Sequence, residues 1–403
     1  MMGAGVFAAF TPAAQAAGAG LLVGLAVAAL VAFCNATSTA QLAASYPRSG
    51  GAYLYGRERL GAVWGFLAGW SFVIGKTASC AAMALTFAAY AAPAGWERPV
   101  AVVAVVALAA VNYLGVTRTA QVTRVIVVLV LAALAAGVAA AAGGGLYFAP
   151  AGDGLSLVAG GWHGVLQSAG LLFFAFAGYA RIATMGEEVV DPARTIPRAI
   201  TIALAITVVV YAVVAVVLLG SLGPAGIAAT PTPLADAAVA GGWQWAGPVV
   251  RVGAAIAALG ALLGLIAGIG RTTLAMAREG DLPRALSAVH PRFHTPHRAE
   301  VAVALVIVAV VLTVDLRGAI GFSSFGVLLY YAVANIAALT QPPTQRRYPR
   351  ALQVAGLVGC LVLVVTLPPL SIVVGVGVLL VGLAYRAVAR SSSARGAGTV
   401  GRE

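Results

Sequence analysis

Charge is scarce in this sequence: Asp, Glu, Lys and Arg make up only 9% of its 403 residues, while apolar residues make up 61%. A soluble domain carries about 25% charged residues, so a water-facing globular surface is excluded for most of the chain. Strict apolar–polar alternation is also lacking. That argues against membrane strands, whose open edges would leave backbone groups unsatisfied in lipid. The opening MMGAGVFAAFTPAAQAAG lacks the basic leader and small-residue cleavage site of a secretory signal. Cysteine is rare, and Cys34, Cys80 and Cys360 all fall inside apolar stretches, which points to packing and away from a disulfide framework. His290, His294 and His297 lie close together, but Pro291 and Pro296 break any common helical face and no Cys or carboxylate completes a tetrahedral set. No metal and no cofactor are expected.

What is present is a series of apolar stretches near 21–45, 62–92, 99–115, 122–142, 162–186, 199–220, 247–277, 299–314, 318–339, 351–367 and 370–389, after an opening fragment 3–17. Crossing about 30 Å of hydrocarbon takes roughly 20 helical residues. The expected fold is therefore all-α and integral to a membrane, with a single transmembrane domain over 1–403 and no separate soluble domain. The net charge of +12 is not gathered on a soluble face, so nucleic acid is not an expected partner. If the connection after the second span is cytoplasmic, nineteen arginines fall on that side and three, Arg98, Arg251 and Arg317, on the other. This asymmetry predicts a cytoplasmic C-terminus in the plasma membrane. The Arg/Ser/Gly tail 390–403 reads as disordered.

Two stretches break the helical pattern with glycine and aromatics at corresponding places in two five-span halves: GAGVF (Gly3–Phe7) and FFAFAGYA (Phe173–Ala180). Paired breaks point to a transporter with inverted repeats, approximately 1–142 and 162–339 with further spans over 351–389, because unwound segments bare backbone groups near the midplane. A half-helix beginning after Gly5 offers its N-terminal end to a carboxylate. Carbonyls freed around Phe174 and Ala177 accept from an ammonium group. The competing reading is that Gly3, Gly5 and Gly178 only permit close helix packing.

At these residues the chain resembles the amino acid–polyamine–organocation (APC) transporters, the superfamily of bacterial amino acid permeases. The resemblance covers essentially the whole length. GAGVF is similar to the first-span break, YPRSGGAYLYGRERLG (Tyr46–Gly61) to the loop after span two, and FFAFAGYARIATMGEEVVDPARTIPRAI (Phe173–Ile200) to span six and its exit. AMAREGDLP (Ala275–Pro283) is similar to the end of span eight. The resemblance implies a five-plus-five inverted-repeat, LeuT-like bundle of twelve spans. It also implies a half-helix ahead of the first break, so the first half of span one is missing here and Met1 is expected to be internal to the working protein. Substrate carboxylate is expected at the backbone N–H groups of Ala4, Gly5 and Val6. Substrate ammonium is expected at the carbonyls of Met1, Phe174 and Ala177, with the Phe174 ring as an aromatic gate. Ala4 stands where many relatives have serine, and Val130 where proton-coupled relatives place a lysine.

Lys76 stands near mid-bilayer in span three, where an ionisable group is costly and a functional candidate by default. It is read as a coupling residue in place of the missing amine, as a substrate contact that repels cations, or as a structural amine bonded to bared carbonyls. Arg181 reads as reaching for water. Glu187 and Glu188, with Arg48 or Arg57, are candidates for a cytoplasmic gate. In span ten, Ser323, Ser324, Tyr330 and Asn335 read as helix-to-helix contacts before pathway-lining groups. A channel would need a charged ring or a carbonyl filter, and an enzyme a nucleophile–base pair or metal at depth; neither is recognisable. The expected function is permeation of amino acids by alternating access, neutral or small ones by proton symport or exchange. A polyamine or cationic amino acid transporter and a non-transporting sensor or scaffold are the alternatives. Expected partners are the amino acid, protons and the lipid bilayer.

Overall fold

Alanine, leucine and valine dominate the long stretches, and in lipid their backbone groups must be satisfied within the segment itself, which leaves the helix. The computed structural model describes residues 3–47, 50–115, 120–148, 161–179 and 189–399. In chain order these form α1 (Gly5–Ala8), α2 (Phe10–Ala17), a 3-10 turn (Gly18–Gly20), α3 (Leu21–Ser45), α4 (Ala52–Leu60), α5 (Ala62–Ala91), α6 (Glu97–Tyr113) and α7 (Ala120–Gly143). Next come α8 (Gly161–Phe176), a 3-10 turn (Ala177–Tyr179), α9 (Pro192–Ala229), α10 (Pro233–Ala240) and α11 (Ala246–Arg278). The chain ends with α12 (His297–Thr313), α13 (Leu316–Leu339), α14 (Arg350–Thr366) and α15 (Pro369–Thr399). Among the described residues there is no strand, and seven helical segments are long and apolar enough to cross a membrane.

The eleven apolar stretches fall on α3, α5 to α9 and α11 to α15, with the part of 162–186 beyond Tyr179 outside the described residues. Two helices differ from the sequence reading. Pro192 opens α9 well before the apolar run, because proline at the first helical position sacrifices no hydrogen bond. The same helix is kinked at Gly223, whose φ of 65° only glycine adopts at low cost. The last helix, α15, extends to Thr399, across part of the tail that the sequence reading takes as disordered. Arginine, alanine and serine add turns to a helix already nucleated by the apolar segment before them, at little cost per residue.

The centre of the bundle is held by small residues and polar pairs. A Cβ built on Gly326 of α13 would lie 2.6 Å from the Ser71 carbonyl oxygen and 2.7 Å from the Gly75 Cα, so α5 and α13 meet backbone to backbone. One turn further along α5, the Ser79 and Ser323 hydroxyls are hydrogen-bonded at 2.6 Å. Asn335 Nδ2 donates to Asn35 Oδ1 at 2.7 Å, and Ser38 Oγ donates to Asn335 Oδ1 at 2.6 Å, tying α13 to α3. Tyr330 of α13 accepts from the Ala52 N–H at 2.9 Å. Ser323, Tyr330 and Asn335 thus bond between elements, whereas the buried Ser324 hydroxyl has no hydrogen-bond partner among the described residues. Replacing Asn335 with alanine strands the Ser38 hydroxyl and leaves Asn35 with the weaker Cys360 contact. We expect a loss of about 1–2 kcal/mol, the upper range for interhelical hydrogen bonds in membranes, measured by unfolding in detergent.

Candidate functional site

At the first stretch α1 starts at Gly5, with Ala4 as its N-cap, and the Ala4 carbonyl accepts from Phe7 and Ala8 at 3.0 and 3.1 Å. Gly5 and Val6 therefore lie in the first turn, where N–H groups have no partner within the helix. At the second stretch α8 stops at Phe176 and the backbone tightens into the 3-10 turn Ala177–Tyr179, where the described segment ends. The two breaks touch. A Cβ built on Gly5 would sit 2.7 Å from Ala175 Cα and 2.8 Å from its Cβ, which only glycine permits. Ala4, Gly5, Val6, Phe174 and Ala177 are all buried, so the structure brings these five predicted residues to one place between α1 and α8.

Side chains from neighbouring helices reach the bared carbonyls. Lys76 Nζ, on α5, donates to the Ala177 carbonyl at 3.1 Å, and the residue is only 5% exposed. Tyr211 of α9 donates to the Ala175 carbonyl at 3.1 Å. Tyr90 of α5 donates to the Phe7 carbonyl at 3.1 Å, and its ring lies edge-on to Phe7. Among the described residues no carboxylate pairs with Lys76 in a salt bridge. The breaks thus form a buried, polar-backbone centre with an ammonium group already seated on one of its acceptors.

From Lys76 toward the arginine-rich end of the bundle come two packed aromatic rings. Phe72, one turn earlier on α5, packs on Tyr330 with ring centroids 5.2 Å apart. The cleft they share with Gly50, Tyr53 and Thr272 is too tight to hold a water molecule. Beyond it lies a charged cluster that the sequence reading did not assign. Asp281, fully buried after α11, receives Tyr53 Oη at 3.0 Å, Arg57 at 3.3 Å and Arg386 Nε at 3.0 Å, with Arg390 at 3.6 Å. Arg57 also pairs with Glu279 at 2.7 Å, and the Arg386 guanidinium lies over the Phe66 ring. Burial, and then the Asp281 charge, push the Tyr53 phenol above its usual range, so it remains a neutral donor. The signal was present in AREGDLP. Its partner Arg386, more than a hundred residues away in sequence, was not inferable.

The other sequence-derived residues separate clearly. Met1, Arg48, Arg181, Glu187 and Glu188 lie outside the described residues, while Arg57 is bound to Glu279 and Asp281. His290 and His297 pack edge to face with Tyr113 beside Phe293, and among the described residues no group of three or more His, Cys, Asp or Glu side chains is arranged to hold a metal. The three cysteines are free and buried.

A many-span helical bundle with two helix interruptions meeting in its interior is the architecture of a membrane transporter. The amino acid permease family model matches residues 1–400. The chain is 58% identical over 390 residues to an uncharacterized transporter of Mycobacterium tuberculosis, covering 97% of this chain and 88% of the relative. It is 26% identical over 414 residues to the branched-chain amino acid permease BcaP of Bacillus subtilis, covering 95% and 88%. It is 29% identical over 371 residues to human cationic amino acid transporter 4, covering 82% of this chain and 56% of the relative. The chain belongs to the amino acid permease family, within the APC superfamily; it is a multi-pass transporter and not an enzyme.

Proposed function

We propose that the protein carries neutral, small amino acids across the plasma membrane by alternating access, with its arginine-rich end and C-terminus in the cytoplasm. The observation that carries this reading is the contact of Gly5 with Ala175 beside the Lys76–Ala177 hydrogen bond. Backbone N–H groups of Ala4, Gly5 and Val6 take the substrate carboxylate, the Phe174 and Ala177 carbonyls its ammonium, and the Phe174 ring closes over it. Met1 completes the carbonyl set in the sequence reading. Lys76 competes with substrate ammonium for Ala177, and displacement of one by the other links binding to movement of α5. A cationic side chain at this centre meets the Lys76 charge with no described acid to offset it, which disfavours dications. The same release gives Lys76 a route to exchange a proton, which supports proton symport over sodium coupling.

The test is uptake by proteoliposomes containing the full chain, with thermal stability read against a panel of amino acids and amines. Small neutral amino acids are expected to raise the melting temperature and to accumulate, as ligands that bind only the native state do. Preference for polyamines or arginine overturns the substrate assignment, and binding without flux makes the protein a sensor. Lys76→Gln is expected to flatten the pH dependence of uptake and to admit cationic substrates; an unchanged pH profile with unchanged affinity removes Lys76 from the mechanism.

A further inference from the structure

Where α9 leaves the arginine-rich end, it borders the connection between α13 and α14. Between them opens a cleft of about 420 Å³ lined by Arg194, Pro197, Arg198, Thr201, Ile202, Arg347 and Tyr348. Among the described residues three guanidinium groups and no carboxylate line it. Arg347 donates to the Ala193 carbonyl at 3.2 Å, which fixes the loop against α9. The loop is held from behind as well, because Gln41 Oε1 accepts from the Arg347 and Tyr348 N–H groups at 3.0 and 3.1 Å. The described acid in reach is Asp191, 3.8 Å from Arg194 with both side chains largely exposed. Arg198 has neither an acid nor a carbonyl partner among the described residues. Planar guanidinium groups grouped this way match the oxygens of a phosphate.

A second feature says where that phosphate comes from. Ile202, on the rim of the cleft, is 60% exposed, and Ile206, Val209 and Val213 follow it along one face of α9, all exposed. Spacings of four, three and four residues keep these side chains on one stripe. The stripe begins at the guanidinium cluster and runs toward the hydrocarbon. A soluble anion has no use for such a stripe, whereas a lipid needs both parts.

We propose that this cleft binds the phosphate headgroup of an anionic phospholipid of the leaflet at the arginine-rich end, with one acyl chain lying along Ile202, Ile206 and Val209. The site is separate from the interrupted helices, and its occupation does not depend on which substrate is carried. The lipid bridges the start of α9 and the α13–α14 connection.

The experiment is native mass spectrometry of the purified full chain in detergent, titrated with phosphatidylglycerol or phosphatidylcholine of equal chain length. Phosphatidylglycerol is expected to bind at least tenfold more tightly, and Arg198→Gln/Arg347→Gln to remove that preference. Arg284→Gln/Arg292→Gln takes the same charge from exposed positions at the same end, outside the cleft, and is expected to leave the preference intact. Equal losses in the two double variants overturn the proposal, since the attraction would then be unspecific surface charge. Should the first double variant fold poorly, Arg198→Lys, which keeps the charge but loses the planar fork, is expected to weaken phosphatidylglycerol binding alone. Pyrophosphate binding to lipid-free protein as tightly as phosphatidylglycerol overturns the lipid assignment in favour of a soluble phosphate.

Discussion

Asp281→Asn is expected to destabilise the protein by about 3–5 kcal/mol, the cost of removing one partner from a buried ion pair. The asparagine keeps the shape but leaves Arg386, itself buried, with a charge that among the described residues only the Phe66 face offsets. Arg57 retains Glu279 and Arg390 is half-exposed, so the penalty concentrates on Arg386. The cluster joins α4, the end of α11 and α15. Uptake is expected to fall with stability, because Tyr53 both donates to Asp281 and lines the closed cleft below Phe72 and Tyr330. Unfolding in detergent, with Arg57→Gln as the comparison, checks this. Arg57 is partly exposed, so its loss is expected to cost about 1 kcal/mol or less. Equal effects for the two variants would mean that Asp281 is screened by water.

Gly5→Val is expected to abolish substrate binding while costing about 1–3 kcal/mol of stability, the range for overpacking a close contact. Valine begins with a Cβ that would lie 2.7 Å from Ala175 Cα, a backbone atom that cannot rotate away. The two interruptions must separate, and with them the N–H groups of α1 and the carbonyls of the second break. Gly3→Ala is the control, because a Cβ there meets the Ala261 side chain at 3.3 Å, a contact that a small shift relieves. Thermal stabilisation by amino acids should vanish for Gly5→Val and persist for Gly3→Ala. Retained ligand stabilisation in Gly5→Val would show that the meeting of the breaks is packing and not a site.

How far the site was legible follows from the kind of signal each residue leaves. Lys76 was visible because a lone amine in an apolar run is anomalous wherever it lies. Its hydrogen bond to Ala177 was not, because nothing local relates residues 101 positions apart. The glycine and aromatic breaks were visible as composition, but the contact of Gly5 with Ala175 that brings them together was not.

The sequence alone determined the class: long apolar segments in a chain with few charges can satisfy their backbone in lipid only as helices, and arginine asymmetry favours one orientation. It also marked where two of those helices are interrupted. Only the tertiary structure decided that the interruptions meet, that Lys76 lies on one of their carbonyls, and that Asp281 gathers arginines from both ends of the chain. Those facts depend on which helices become neighbours, and that is settled by close approaches such as Gly75 to Gly326, whose partners no pattern along the chain reveals.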